Sequence, residues 1–443
     1  MRNILKYFRE QPNSVSGMIL SSILLNTFIV CAYCNRPLVI IPPMLGSQLY
    51  ANATDFSSHW YCPKNLQNKL LWVNEEMVIP PLFNCLAEYL TSEWDPSSNS
   101  IKNRTNVQVY SPDFGGVSSI EYVDSGIFGY KLVPVMGPLI KALHSLGYET
   151  RKDLFGAPYD WRNAPGNIDY LYPMIKDLIE QAYHLNDDQK VCLLGYSLGC
   201  WVTHYFLTKI VDQQWKDKYI QKVIWAAPSF GGSMDAVRAT YFHTLEYLPS
   251  LFQTESITKL LESTYCAYAQ LPNNNVFPHR TLIYGPGGEE FGINDIPEWL
   301  KQLNKVENEY MPMFEKGVID SQMSIEDPKV NSYFAFNTGL KTVKSLNFSN
   351  GWEKDPAMDY IAGDTTMEAS VLFYGCNNWQ SGNHGKTLLC HDFNQTSSDF
   401  SHISILSTDE FVRVMIEIIE KDNWILPGTH NVTGMTAPNF FEK

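Results

Sequence analysis

The sequence predicts an α/β fold with a mainly parallel sheet, helices on both faces and two irregular insertions. Apolar runs rich in β-branched residues carry the strands: "PLVIIPPML" over residues 37–45, Val191–Leu194, and "KVIWAAPSFGG" over 222–232. Each is short and apolar throughout, as in a strand buried on both faces. Helical spacing lies between them, in "PLIKALHSLGY" (138–148) and from about Tyr172 to His184, and another apolar helix follows Gly199. Strands alternating with helices give a parallel sheet covered on both sides.

The remaining elements follow in chain order. Residues 47–125 read as irregular and aromatic-rich, and 233–330 as short helices and loops. "VNSYFAFNTGL" reads as a final strand followed by loops. Ser407 and Glu410 form an S-x-x-E capping box that starts the C-terminal helix "FVRVMIEIIEK". A chain of 443 residues holds one large domain with insertions, or two domains. Its net charge of −14 argues against nucleic acid and against general attraction to anionic membranes.

The first 34 residues read as a targeting segment. Arg2, Lys6 and Arg9 precede the apolar run "GMILSSILLNTFIVCAYC". This is a secretory signal cleaved near Ala32 or Cys34, with an uncleaved signal anchor as the alternative. Five N-x-S/T sequons, at Asn52, Asn103, Asn347, Asn394 and Asn431, agree with that route. Of the nine cysteines, Cys31 and Cys34 belong to the leader. Cys62 with Cys85, and Cys376 with Cys390, bracket loop-like segments that disulfides could close. Cys192 and Cys200 read as buried thiols, and Cys266 is left over.

The chemistry centres on Gly195-Tyr196-Ser197-Leu198-Gly199. G-x-S-x-G between a buried strand and a helix forces a sharp turn that exposes the serine hydroxyl at a helix N-terminus. The glycines allow strand and helix to approach closely, and the helix N–H groups favour a developing anion. A buried turn serine is the competing reading. A nucleophile here needs a base and an orienting acid, in the order Ser, acid, His. His402 lies in "DFSHISIL" before the capped helix; His204, His243, His279, His384, His391 and His430 are the other downstream histidines. Asp364 in "DYIAGDTTM" is the best-placed acid, with Asp355, Asp359 and Asp392 as rivals. The oxyanion donors would be the N–H groups of Leu198 and of Met44, in the loop "IIPPMLGSQL". No cofactor is expected, and no ligand-spaced cluster suggests a metal.

Together these stretches resemble the lecithin:cholesterol acyltransferase family, over nearly the whole chain after the leader. "PLVIIPPMLGSQL" resembles its early strand and oxyanion loop, and "HWYC…LLWVNEE…NC" its membrane-binding segment. "GAPYDWR" and "GYSLGC" resemble a specific family stretch and the nucleophile turn; "GDTT" and "SHISIL" resemble its acid and histidine loops. The resemblance implies an α/β-hydrolase domain over 35–443, a membrane-binding insertion at 47–125 and a lid or cap at 233–330, its mobile part near 233–256. It also implies a Ser197–Asp364–His402 triad, Met44 and Leu198 as oxyanion donors, and a Cys62–Cys85 bridge. Trp60, Leu70, Leu71 and Trp72 would meet a lipid interface, or pack against the core. Asp160 and Arg162 would shape the acyl or headgroup site, or form a structural ion pair.

The chain departs from the family pattern in three places. Pro43 stands where the early loop usually has Gly, which restricts the backbone there. Met367 follows Thr366 where the family favours valine. Phe334 occupies the position of one cysteine of a family disulfide, so a Cys376–Cys390 bridge would be a rearrangement. The implied activity is removal of an acyl chain from a glycerophospholipid through an acyl-serine, then transfer to water or a lipid hydroxyl. The expected partner is a phospholipid bilayer or lipoprotein-like surface, and the expected location is secreted or lysosomal. The alternatives are a neutral-lipid lipase, a phospholipid:diacylglycerol acyltransferase anchored in the endoplasmic reticulum, and a lipid-binding protein without catalysis.

Overall fold

Six strands form the central sheet of the computed structural model: β1 (Leu38–Ile41), β2 (Leu154–Gly156), β3 (Val191–Tyr196), β4 (Ile220–Ala226), β5 (Ser332–Phe336) and β6 (Leu388–Asp392). They pair in parallel, in the order β6-β5-β4-β3-β1-β2. The structure describes residues 35–56, 59–124, 126, 131–244, 255–379 and 385–421. The expected leader, Asn431, His384, His430 and the middle of the expected lid lie outside the described residues.

The continuous apolar runs are explained by two cores, one on each sheet face. Ile40, Leu194, Ile224, Tyr333 and Leu389 align in one cross-strand row and point to one side. Val39, Leu193 and Val223 align in the next row and point to the other. Alternation along a strand sends successive side chains to opposite faces, so a strand apolar at every position is buried on both.

Helices α1 (Gly137–Ser145) and α4 (Asp409–Glu420) cover the first face through Leu139, Ile140, Leu143, Phe411, Val414, Met415 and Ile418. Helices α2 (Leu171–Leu185) and α3 (Leu198–Tyr205) cover the second through Ile175, Leu178, Ile179, Trp201 and Val202. Lys222 on β4 is buried, and its ammonium donates to the carbonyls of Ile418, Ile419 and Lys421. These are orphan acceptors at the end of α4, where a positive charge is favoured.

Three local expectations are corrected. A 3₁₀ turn runs through Ser404–Ser407, so α4 starts one residue late; Thr408, not Ser407, caps it by accepting from the Phe411 N–H at 3.2 Å. The strand Ser332–Phe336 is not the last, because β6 closes the sheet edge beside it. Residues 47–125 are not irregular. Leu49–Ala53 pairs antiparallel with Leu66–Trp72 and Val107–Tyr110, a helix spans Leu82–Leu90, and Ser92–Asp95 pairs with Ser100–Asn103.

The expected cap contains helices Met234–Phe242, Glu255–Glu262, Ile296–Gln302 and Met311–Ser321. It does not end structurally at 330. Its strands Glu290–Gly292 and Thr281–Tyr284 continue a sheet with Leu340–Asn347 and Ala357–Gly363, the hairpin that leads into Asp364. Both expected disulfides are formed, Cys62–Cys85 and Cys376–Cys390. Phe334 pairs in register with Cys390, so the second bridge runs past the position where the family pattern placed a cysteine. Among the described residues, no helix is long and apolar enough to cross a membrane.

Candidate active site

The turn after β3 has the predicted form. Ser197 lies between strand and helix with φ +51°, a left-handed conformation unfavourable for a residue with a side chain. It is held there by its N–H, which donates to Ala226 O at 3.0 Å, and by its carbonyl, which accepts from Cys200 N–H at 2.9 Å. A Cβ at Gly195 would lie 3.0 Å from Cys200 Cα. A Cβ at Gly199 would overlap the carbonyl oxygens of Ile41 and Pro42. Gly199 therefore lets the start of α3 lie directly against the loop after β1.

His402 completes the arrangement. Its Nε2 is 2.9 Å from Ser197 Oγ, and its Nδ1 is 2.6 Å from Asp364 Oδ2. All three residues are buried. Asp364 accepts two further bonds on Oδ1, from the N–H groups of Thr366 (3.1 Å) and Met367 (2.7 Å). Its own carbonyl accepts from the His402 N–H at 2.6 Å. Acid and base are thus joined through backbone as well as side chain. The rivals lie elsewhere. Asp359 accepts from Ser345 Oγ and Asp392 from Thr338, and neither is bonded to His402. His204 is on α3, with Nε2 2.7 Å from Glu326 O. His243 contacts Glu262 and Lys305 O.

The loop after β1 is the second half of the site. Leu198 opens α3, so its N–H is one of the helix donors with no intrahelical acceptor. Met44 lies in the turn closed by Gly46 N–H to Pro43 O at 3.1 Å, and Leu45 beside it has φ +62°. The "GAPYDWR" stretch fastens this loop. Tyr159 donates through its hydroxyl to Pro42 O at 2.9 Å and through its N–H to Ser47 Oγ at 3.2 Å, and Trp161 Nε1 donates to Ser47 O at 3.3 Å. Tyr159 and Ser47 were missed from sequence. Their only signal was the motif itself, whose aromatic residues read equally well as core.

Two sets of residues left with two readings each are placed by the structure. Arg162 is fully buried, with Nε and Nη2 2.9 and 2.6 Å from the Asp160 carboxylate. Its remaining donors reach Leu90 O and Asn103 Oδ1. The pair is the structural one, joining the "GAPYDWR" loop to the 47–125 insertion, because all these donors are spent within the protein. Leu70 and Leu71 are buried, and Trp72 turns inward, with Nε1 2.9 Å from Leu45 O and its ring edge-on to Trp161. Trp60 alone of the four stands in the open, 94% exposed.

The thiols near the turn are inert. Burial pushes the Cys192 thiol up to about 11 and the Cys200 thiol well above its ordinary value, and Cys200 donates to Gly195 O. Asn103 of the sequons is held by Arg162, whereas Asn394 is exposed.

Compared with known proteins, residues 67–286 match the sequence model described as lecithin:cholesterol acyltransferase. Over those residues the chain is similar to the lecithin:cholesterol acyltransferase family. It is 26% identical to the lysosomal phospholipase A and acyltransferase of Bos taurus, over 78% of this chain and 83% of that protein. It is 25% identical to the protein of that name from Homo sapiens, over 85% of this chain and 90% of that protein. It is 28% identical to the phosphatidylcholine-sterol acyltransferase of Mus musculus, over 78% of this chain and 77% of that protein. The stretch that matches the acyltransferase model contains Ser197 but stops short of Asp364 and His402, so those two rest on the geometry.

Proposed function

We propose that the protein is a serine acyl hydrolase and acyltransferase acting on glycerophospholipids. The observation that carries this is the single hydrogen-bonded line Asp364–His402–Ser197 at a strained strand-to-helix turn. The family, and relatives named for phospholipase and acyltransferase activity, supply the substrate class.

Each residue then has one task. His402 takes the Ser197 proton as the hydroxyl attacks an acyl ester carbonyl. Asp364 fixes the imidazole tautomer and stabilises the imidazolium. The Met44 and Leu198 N–H groups hold the oxyanion. The tetrahedral species collapses, His402 returns the proton to the departing lysophospholipid, and an acyl-serine remains. Water or a lipid hydroxyl, deprotonated by His402, takes the acyl group and regenerates the serine. The exposed Trp60 supports contact with a phospholipid surface, an indole being suited to a lipid interface. The relatives, the sequons and the leader support a secreted or lysosomal location.

The test uses liposomes of acyl-labelled phosphatidylcholine containing sterol and a long-chain alcohol, with Ser197→Ala as the control. Label is expected in free fatty acid, or in a sterol or alcohol ester, and none with Ser197→Ala. Release that survives in Ser197→Ala, or no release by folded wild-type protein, contradicts the proposal.

A further inference from the structure

We propose that Trp72 is a positioning residue for the oxyanion loop, holding the Met44 backbone in register through the carbonyl of Leu45. The inference rests on the functional reading above. It assigns a task to a side chain that the sequence left between a lipid interface and the core.

Leu45 follows Met44 directly and has φ +62°. A leucine in that region is strained and stays there only if its surroundings impose it. The Trp72 indole N–H donates to Leu45 O at 2.9 Å, the carbonyl at the strained residue itself. The ring is fixed in turn, edge-on to Trp161 with centroids 5.6 Å apart. Trp161 donates to Ser47 O, so the two indoles grip the loop on both sides of Gly46. The Pro43 ring fills the space against Gly46, which leaves no room for a side chain there.

Losing the Trp72 donor would let Leu45 relax toward an ordinary φ. The change at Leu45 would displace the Met44 Cα, and with it the preceding Pro43–Met44 peptide, whose N–H is the oxyanion donor. A donor that acts on a developing oxyanion matters in the transition state and little in the ground state. Trp72 also ends the strand Leu66–Trp72, whose partner Leu49–Ala53 leaves the same loop, and the register pairs Leu49 with Trp72. That strand lies inside the Cys62–Cys85 segment. Trp72 is therefore the residue through which this segment sets the oxyanion hole.

The experiment compares full-length wild type, Trp72→Phe, Leu45→Gly and the double variant on a soluble p-nitrophenyl ester. Affinity for a trifluoromethyl ketone that forms a hemiketal with serine is measured in parallel. Phe keeps a ring and removes the donor; Gly accepts positive φ without strain. Trp72→Phe is expected to lower kcat about ten-fold with KM within about two-fold, and to weaken the ketone by the same factor. Adding Leu45→Gly should recover most of both losses.

Unchanged kcat and ketone affinity in folded Trp72→Phe overturns the proposal, and so does a loss that Leu45→Gly does not recover. Wild-type activity that does not depend on Ser197 overturns the functional reading instead. If Trp72→Phe does not fold, the wild-type indole ¹⁵N–¹H signal of Trp72 decides. It should be protected from exchange and shift on hemiketal formation; an unprotected or unresponsive signal overturns the proposal.

Discussion

The hydroxyl of Tyr196 donates to the backbone carbonyl of His402, so the residue before the nucleophile holds the base's own main chain. Tyr196 is buried, with its ring against His402 on one side and Phe411 of α4 on the other. Burial, and then the charge of Asp364, keeps the phenol far above its ordinary pKa, so it remains a donor at every working pH. Tyr196→Phe removes this bond and keeps the ring. The expected result is a stability loss of about 1 kcal/mol, with kcat falling several-fold and KM little changed. Denaturant unfolding and steady-state kinetics on a soluble ester check both.

Gly199 has the most restrictive position in the turn. Any Cβ there meets the carbonyls of Ile41 and Pro42, which precede the oxyanion loop. Gly199→Ala must separate α3 from that loop, which moves the Leu198 and Met44 N–H groups apart. A loss in kcat on the order of a hundred-fold is expected, as for removal of one oxyanion donor. Wild-type kcat in the folded variant would contradict it.

His204 makes stability depend on acid. It is buried, its ring stacks on Trp379, and burial depresses its pKa to about 4. An unfolded histidine titrates near 6.5. Between those values the unfolded chain binds the proton and the folded chain does not, so stability falls as pH drops from 6.5 toward 4. The loss from this residue is roughly 3 kcal/mol once pH reaches 4. Gln can still donate to Glu326 O. Unfolding of His204→Gln at pH 7 and pH 4.5 should show a smaller acid penalty than wild type, and equal penalties would contradict the assignment.

Trp60 separates surface binding from chemistry. At 94% exposure it contributes little to the fold beyond an edge-on contact with Tyr61, and it stands beside the Cys62–Cys85 bridge. Trp60→Ala should weaken binding to phosphatidylcholine vesicles about ten-fold, by loss of apolar area placed in the interface. Soluble-ester hydrolysis should change less than about two-fold. Equal losses in sedimentation and ester assays would show misfolding instead.

The central sheet and the turn were legible because their signals are local. Leu194 and Ile224 sit in runs apolar at every position, and Gly195 and Gly199 flank a serine at a fixed spacing. Asp364 and His402 were harder, since 38 residues separate them and only the fold makes them neighbours. The sheet in 47–125 was missed because its strands carry exposed polar residues such as Gln67 and Asn68, so neither a buried run nor clean alternation shows. Trp72 was left open for a related reason. An indole looks the same in sequence whether it faces lipid or a backbone carbonyl, and only the register with Leu49 turns it inward. Arg162 likewise reads equally as a site residue or as half of a structural ion pair until its burial and its bonds to Asp160, Leu90 and Asn103 are known.

The central claim is that Ser197 carries the acyl group. The most direct measurement is rapid acid quench of the protein turning over acyl-labelled phosphatidylcholine, followed by peptide mapping by mass spectrometry. The account predicts one acyl group on the peptide containing Ser197, formed before labelled product and absent from Ser197→Ala. Product formed with no acyl group ever on Ser197, or an acyl group on another residue that persists in Ser197→Ala, would contradict it.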